Sequence, residues 1–412
     1  MNAPCHTGAV AWRSPLCPTT LLALALALAG ACLEPPPPPA VSDDGALLDV
    51  TVQATLTRAE LQALVAPEIV VDNGYTVYAI GYRTQGTDAT ATVTLPDGAA
   101  PPEGFPLVAN AHGTIGLDDP CRLSGTIAGA GLAALFGARR AIGVAPDYVG
   151  LGGPGLHPYL HVESEGRAVL DALRAARALA EREGVRASAR VAAVGLSQGG
   201  HAALAVGAMH EGHAPELELR AVGAAAPASG FREHWSAIGL AGPHQLYYAM
   251  LSHTFAKEAG LAAAEVFAPA LAGDVDELFA TRCAWSPSFN ADEPLLMDAL
   301  PEDPRALYRD DARAAFRGEV AAPWADDGFA SRRLPAFTTT AAVRVWQGDA
   351  DETVLPDDTV ELVQALRAGG LTVELTPVPG AGHLDTAFGF LASLDRARAE
   401  SVAWVLERLA AP

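Results

Sequence analysis

A serine between two glycines is the clearest chemical signal in the chain. Residues 195–199 read Gly-Leu-Ser-Gln-Gly; the apolar run Val191–Val194 precedes them, and the alanine-rich stretch Gly199–Ala208 continues from the last glycine. This order predicts a strand, a sharp turn and a helix, the layout of a nucleophile elbow, where the turn leaves room only for small neighbours of the serine. Ser197 is therefore the candidate nucleophile.

A serine nucleophile needs a base to take its proton and a carboxylate to orient that base. Two later segments supply such groups. The apolar run Val343–Gln347 leads into Gly-Asp-Ala-Asp, which contains Asp349 and Asp351, and the run Thr372–Val378 leads into Pro-Gly-Ala-Gly and then His383. His383 is the candidate base, and either aspartate could be the acid.

These loops need strands to position them, and nine short apolar runs predict such strands. The first three alternate in polarity and lie close together, as antiparallel hairpins do, whereas the later runs are continuous, as strands covered on both faces are. The runs are Val50–Leu56, Thr76–Tyr82, Ala89–Leu95, Pro106–Asn110, Ala141–Pro146, Arg190–Val194, Arg220–Ala225, Val343–Gln347 and Thr372–Val378.

Helical spacing of apolar residues predicts helices between these strands, at Ile127–Arg139, at Ser164–Glu183 with a stop at Gly184, and at Thr386–Leu409. Strands that alternate with helices behind an antiparallel start indicate an α/β fold with a mostly parallel central sheet.

The stretch 229–334 breaks this alternation, with helical and irregular segments rich in aromatic residues. In an open parallel sheet the loops at the carboxyl ends of the strands hold the ligand site. An insertion of this size would cover that site as a helical cap. A separate domain is the alternative, but the return to a strand at Val343 favours an insertion.

The first forty residues differ in composition from the rest. The apolar run Leu21–Ala31 is shorter than the roughly 20 residues that usually span a bilayer. It ends in Ala-Gly-Ala, followed by Cys32 and later by Pro35–Pro39. Ala-x-Ala is typical of a signal peptidase site, so we expect export. Cys32 also resembles the lipid-attachment cysteine of bacterial lipoproteins, so plain secretion and membrane anchoring through Cys32 are both open.

The predicted organisation follows from these boundaries. It comprises a signal peptide at 1–31, a proline-rich linker at 32–45, a first core part at 46–228, the cap at 229–334 and a second core part at 335–412.

The net charge and the cysteines limit which molecules the protein can bind. The formal net charge of −21 argues against nucleic acid as a partner. In an oxidising compartment Cys121 and Cys283 could form a disulfide, and the alternative is two unpaired buried thiols. The cysteines lack the spacing of a metal site, and we predict no metal.

The motifs together resemble those of the secretory lipase family within the α/β-hydrolases. The resemblance implies the α/β-hydrolase fold, hydrolysis of acyl esters, a helical cap over the site and no cofactor. The matching stretches are His112-Gly113-Thr114 with Cys121, Ala145 to Gly152, His157-Pro158-Tyr159 with Ser164 to Arg167, Gly195 to Gly200, and the segments around Asp351 and His383.

The resemblance also implies roles for individual residues. Superfamily members keep their acid in Gly-x-x-Asp-x-x-Val after a strand, which selects Asp351 and leaves Asp349 as its competitor. The two amides of the oxyanion hole would come from Gln198, directly after the nucleophile, and from Thr114 in the His-Gly-Thr loop.

We therefore expect an exported serine carboxylic-ester hydrolase, a lipase or esterase, that acts on a small-molecule or lipid ester through an acyl-enzyme. One alternative keeps the same fold and triad but cleaves peptides or transfers acyl groups. Another is a surface lipoprotein that serves as a binding module without catalysis.

Overall fold

A computed structural model of the chain describes residues 42–65, 69–233, 244–290, 292–301, 303, 306–388 and 396–411. The chain divides into two compact units, Met1–Ser42 and Asp43–Pro412, and the described residues belong almost entirely to the second. The predicted signal peptide, Cys32 and residues 32–41 of the predicted linker lie outside the described residues. None of the helices within the described ranges is long and apolar enough to cross a lipid bilayer.

One sheet forms the centre of the described protein, and each predicted apolar run coincides with one of its strands. The strands are β1 (Leu47–Leu56), β2 (Tyr75–Thr84), β3 (Thr87–Pro96), β4 (Phe105–Ala111), β5 (Ile142–Pro146), β6 (Ala187–Leu196), β7 (Glu218–Ala225), β8 (Ala342–Gly348) and β9 (Val373–Val378). Their spatial order is β1-β2-β3-β5-β4-β6-β7-β8-β9.

The pairing of these strands confirms the predicted fold class. β1, β2 and β3 pair antiparallel in sequence, and β3 also pairs antiparallel with β5. The pairs from β5 through β4, β6, β7 and β8 to β9 are all parallel. The carboxyl ends of β4, β6, β8 and β9, which precede the candidate site residues, therefore lie along the same edge of the sheet.

Burial explains why the central strands read as continuous apolar runs. Leu107, Val108 and Ala109 on β4 are all fully buried, although their side chains alternate between the two faces. β1, at the edge of the sheet, has mostly exposed residues. The central part of the sheet is thus covered on both sides, and helices provide the cover.

The main helices follow the strands in the expected alternation. Among the described residues they are α1 (Arg58–Leu64), α2 (Ile127–Gly137), α3 (Val162–Arg182), α4 (Gln198–His213), α5 (His244–Glu258), α6 (Ala263–Val266), α7 (Pro269–Ala272), α8 (Val275–Thr281), α9 (Asp310–Phe316), α10 (Pro323–Arg332), α11 (Pro356–Ala368) and α12 (Arg396–Ala410).

The predicted helix Thr386–Leu409 is wrong at its start. Thr386–Phe388 is not helical, and α12 begins at Arg396. Phe388 has a φ of 55° and is buried, with its ring edge-on to the ring of Trp346. A non-glycine residue in the left-handed region cannot continue a right-handed helix, and the apolar spacing of the sequence does not reveal such a residue.

Helices α3 and α4 approach each other closely behind the sheet. A Cβ built on Gly166 of α3 would lie 3.0 Å from the carbonyl carbon and oxygen of Ala205 on α4. The glycine therefore permits a short distance between the two helices, which brings the neighbouring Glu165 into contact with His201 of α4.

Between β7 and β8 the described residues form helices α5 to α10 and one isolated strand-type bridge, between Phe267 and Tyr308. We call residues 229–334 the helical region. Its apolar cluster includes Phe255, Phe267, Phe279, Tyr308 and Phe316, and Leu117, Tyr159 and Leu160 from outside the region join this cluster. These are the bounds of the predicted cap, which as a domain and as a cover over the site stays a prediction.

A disulfide joins the helical region to the core of the protein. Cys121, in a short 3-10 helix after β4, is bonded to Cys283, which follows α8, across 162 residues of sequence. Beside it, the amide of Ala284 donates to the carbonyl of Ile115 over 2.7 Å. Both cysteines are almost fully buried, so the bond secures an interior contact.

Removal of this bond tests its contribution to stability. We expect the double variant C121S/C283S to lose about 2–5 kcal/mol of unfolding free energy, because the unfolded chain regains the entropy that the cross-link removes. Denaturant unfolding of the purified protein measures this loss. Dithiothreitol should lower the melting temperature of the wild type and leave the variant unchanged; equal melting temperatures under both conditions would count against the bond.

The turn between β6 and α4 packs backbone against backbone. A Cβ on Gly199 would lie 1.9 Å from the carbonyl oxygen of Ala111 at the end of β4, and one on Gly195 would lie 2.5 Å from the same oxygen. A Cβ on Gly200 would lie 2.7 Å from the carbonyl oxygen of Ala225 on β7. These atoms belong to strands inside the sheet and have little freedom to move. Glycine is therefore required at all three positions.

Two glycines of α4 form a matched pair for testing this constraint. We expect Gly199→Ala to destabilise the fold by at least about 4 kcal/mol, since the added methyl group overlaps a strand carbonyl. Gly212→Ala, near the other end of α4, meets no atom within 4 Å and should stabilise the protein by about 0.5–1 kcal/mol. Unfolding free energies of both variants test the contrast, and similar values would refute the steric argument.

Candidate active site

Ser197 lies in a strained turn between β6 and α4. Its φ of 61° and ψ of −120° are unfavourable for a residue with a side chain. The backbone is held on both sides: the Ser197 amide donates to the carbonyl of Ala225 over 2.9 Å, and its carbonyl accepts from the amides of His201 and Ala228. The sheet and helix thus impose the conformation that directs the Ser197 side chain away from its strand.

His383 and Asp351 are in contact through their side chains. Nδ1 of His383 lies 2.8 Å from Oδ2 of Asp351. His383 begins a short 3-10 helix after β9, and Asp351 lies in the loop after the neighbouring β8. An ionised carboxylate only accepts, so the contact is a hydrogen bond in which His383 Nδ1 donates and Nε2 is left without a hydrogen in the neutral ring.

The Asp351 carboxylate is buried and held by further donors. Its Oδ1 accepts from the amides of Thr353 and Val354 at 2.8 and 2.9 Å, and Oδ2 accepts from Nε2 of Gln347 at 3.2 Å. Gln347 is in turn held by the hydroxyl of Thr359, which donates to its Oε1 over 2.6 Å. Asp351 is therefore fixed in the orientation that faces His383.

Asp349, the competing acid, occupies a different environment. It is exposed, and its Oδ1 accepts from the amide of Gly380 over 2.6 Å. This bond ties the loop after β8 to the turn before His383. Asp349 thus orders the loops, whereas the contact to the imidazole belongs to Asp351.

The loop after β4 lies directly beside Ser197. A Cβ on Gly113 would be 3.8 Å from the Cβ of Ser197. The next residue, Thr114, is held from two sides: its Oγ1 lies 2.6 Å from the hydroxyl of Tyr159, and its carbonyl accepts from Nε1 of Trp285 over 2.6 Å. These contacts hold the residue whose amide was predicted to be one oxyanion donor.

His112 belongs to the same loop, but its ring contacts the core and is not hydrogen-bonded to Ser197, so it is not the base. Its Nδ1 is 2.7 Å from the carbonyl of Gly113, and burial lowers the pKa of His112. Its neutral ring packs against Tyr148, whose hydroxyl donates to the His112 carbonyl over 2.8 Å. The side chain therefore shapes the loop from within the core.

A cavity of about 560 Å³ opens at these residues. Ser197, His383 and Thr114 all line it, so the structure brings three of the predicted site residues to one cavity; Asp351 and Gln198 are buried and do not line it. The volume is in the range of small-molecule sites. Most of the lining is apolar and includes Leu123, Ala128, Leu132, Leu246, Leu295 and Leu384.

The helical region supplies the part of the cavity that sequence patterns did not single out. Tyr247, Trp285 and Phe289 line the cavity, together with a polar group in which the Ser286 hydroxyl donates to the Glu293 carboxylate over 2.5 Å. Most other aromatic residues of the region belong to its apolar cluster. Aromatic content alone could not separate these two groups.

One cluster among the described residues has the donor types of a metal site, and it lies at Asp44, Asp171 and His213. Asp171 is already engaged there, by Nε2 of His213 at 2.8 Å, by the guanidinium of Arg174 at 2.9 Å and by the hydroxyl of Thr84 at 2.7 Å. The Arg174 cation occupies the position of a counter-ion to the carboxylate. The cluster is therefore an internal ion-pair network.

Comparison with known proteins agrees with this architecture. The model of the secretory lipase family matches residues 138–234. No curated relative matches the chain. The rice cell wall degrading esterase LipA from Xanthomonas oryzae is similar in structure, with a TM-score of 0.72 and 22% identity over 88% of this chain and 98% of that one.

A second solved structure extends the likeness to a more distant lipase. Candida antarctica lipase A in its closed state superimposes with a TM-score of 0.58 and 16% identity, over 83% of this chain and 78% of the other. At these identities the likeness shows the fold. The match to the secretory lipase model over residues 138–234 confirms the resemblance to that family that the motifs indicate.

Proposed function

We propose that the chain is a serine carboxylic-ester hydrolase that acts through Ser197, His383 and Asp351. The observation that carries the proposal is the contact between His383 Nδ1 and Asp351 Oδ2 at the cavity that Ser197 also lines. The family match supports the ester as the bond that is cleaved.

The reaction begins at the Ser197 hydroxyl. Its oxygen attacks the ester carbonyl carbon while His383 Nε2 takes its proton, and Asp351 stabilises the imidazolium that forms. The amides of Thr114 and Gln198 donate to the oxyanion of the tetrahedral intermediate. The intermediate collapses, the C–O bond to the alcohol breaks, and His383 returns the proton to the leaving alcohol.

The second half of the reaction repeats these steps with water. His383 takes a proton from water, whose oxygen attacks the acyl-enzyme carbonyl. The second intermediate collapses, the bond from the acyl carbon to Ser197 Oγ breaks, and His383 returns the proton to Oγ as the acid leaves. The apolar walls of the cavity fit the acyl chain of such an ester. We also propose that the protein is exported, in keeping with the secretory family it matches.

Substitution of the two candidate acids tests the assignment. We expect Asp351→Asn to lower kcat for a p-nitrophenyl ester by about 10⁴-fold, because the amide favours the wrong tautomer of His383. Asp349→Asn is the matched control and should keep wild-type kcat, since its remaining oxygen can still accept from Gly380. The opposite ranking would make Asp349 the acid.

The nucleophile is tested in the same preparation. A fluorophosphonate probe should label the wild type at Ser197 and leave Ser197→Ala unlabelled, as seen by mass spectrometry of the digested protein. An unlabelled wild type would favour a non-catalytic binding module. Faster turnover of peptides than of esters would favour a peptidase, and a preference for an alcohol acceptor over water would favour an acyltransferase.

Two neighbouring positions on α2 test the use of the cavity. Ala128 lines it and is 1% exposed, so Ala128→Phe should fill space and raise KM for long-chain p-nitrophenyl esters while the acetate ester is hardly affected. Ile127 is 69% exposed, and Ile127→Phe should keep the wild-type chain-length profile. An unchanged profile in Ala128→Phe would place the acyl chain elsewhere.

A further inference from the structure

Glu165 is a fully buried carboxylate that the proposed reaction does not use. It lies in the first turn of α3 and is 0% exposed. Its Oε2 is hydrogen-bonded to Nδ1 of His201 on α4 at 2.8 Å, and Nε2 of that ring lies 2.9 Å from the carbonyl of Arg332. One oxygen of Glu165 is thereby fixed against the nucleophile helix.

The other oxygen of Glu165 holds the side chain of Gln198. Glu165 Oε1 accepts from Gln198 Nε2 over 2.7 Å. The same Nε2 lies 2.7 Å from Nε2 of His157, whose other nitrogen faces the carbonyl of Val149 at 3.1 Å. Burial lowers the pKa of His157 to about 3, so the ring is neutral and its Nε2 accepts. Gln198 therefore donates to two acceptors at once.

This arrangement fixes which way the Gln198 amide points. A flipped amide would turn its oxygen towards the Glu165 carboxylate and the lone pair of His157, with repulsion at both. In the observed orientation Gln198 Oε1 is buried and has no hydrogen-bond partner in the described structure. A buried acceptor without a partner lowers stability. The two hydrogen bonds of Gln198 Nε2, which we call the Gln198 clamp, therefore hold the side chain in an orientation that has a cost to the fold.

The same carboxylate also supports the loop that contacts Thr114. Glu165 Oε1 accepts from the amide of Leu160 over 3.1 Å, and Leu160 has a φ of 59°, a strained conformation for a leucine. The preceding residue, Tyr159, places its hydroxyl 2.6 Å from Oγ1 of Thr114. A single buried carboxylate thus reaches both residues whose amides would bind the oxyanion.

We propose that Glu165 is a positioning residue for both oxyanion donors, acting on Gln198 directly and on Thr114 through Leu160 and Tyr159. The inference rests on the proposed function, in which the amides of Gln198 and Thr114 bind the oxyanion. Such donors are effective because they are fixed before the charge develops. Without the contacts of Glu165 both amides could move away from the position of the oxyanion. The enzyme would then stabilise the transition state less, while binding of the substrate would be unaffected.

Kinetics of two variants and a matched control test this role. We expect Glu165→Gln and Gln198→Met each to lower kcat by about 10²-fold with KM unchanged, since a small displacement of a catalytic donor has an effect of that size. Gln198→Met keeps the backbone amide and removes only the clamped side chain. Glu163→Gln makes the same charge change on an exposed residue of the same helix and should keep wild-type kcat.

Two further measurements separate positioning from a general loss of structure. The affinity for an alkyl boronic acid, which forms a tetrahedral adduct with serine, should fall in parallel with kcat across the variants. The double variant E165Q/Q198M should lose less than the product of the two single losses, because both act on the same donor. The proposal would be overturned if the loss of kcat in the double variant equalled the product of the two single losses. It would also be overturned if the variants bound the boronic acid as tightly as the wild type.

The outcome also distinguishes this inference from the proposed function. If Ser197→Ala is inactive while Glu165→Gln matches Glu163→Gln, the hydrolase mechanism stands and the role of Glu165 is rejected. If Ser197→Ala keeps full activity, the hydrolase mechanism itself fails. Should Glu165→Gln not fold, Gln198→Met decides alone, and wild-type kcat in that variant rejects the clamp.

Discussion

The close approach of the turn after β6 to the neighbouring strand β4 is the constraint on which the site depends. Gly199 faces the carbonyl of Ala111 with no room for a side chain, so the first turn of α4 sits directly against the sheet. This contact imposes the positive φ of Ser197 and places the loop at Gly113 beside it. The backbone geometry of the site is therefore a property of the sheet, and the side chains are added to a frame that is already fixed.

A second layer of buried polar groups holds this frame from behind. Glu165 connects α3 to α4, and His201 extends the connection to the carbonyl of Arg332 in the helical region. Arg332 is itself fully buried and forms a bidentate ion pair with Glu258. Its Nε donates to the carbonyl of Tyr159. Because interior polar groups are costly unless paired, this chain of contacts resists local rearrangement where the core meets the helical region.

Much of the fold and the candidate site could be predicted because both follow from local patterns. Strands covered on both faces produce continuous apolar runs, and loops at their ends carry Ser197, Asp351 and His383 in order. The buried Glu165 could not be found in this way, since two of its three partners lie on α4, more than 30 residues further along the chain, and an acidic residue near a helix start is ordinary. The start of the last helix was missed for a related reason: the conformation of Phe388 depends on packing against Trp346, which no local pattern encodes.

The disulfide has a mechanical consequence for the helical region. The chain enters and leaves that region from β7 and β8, which are neighbours in the sheet, and a body attached at two adjacent points can swing about the line between them. The bond from Cys283 to Cys121 adds a third covalent attachment after β4, two strands away from β7. With three anchors that do not lie on one line, the region can no longer swing about that axis as a whole.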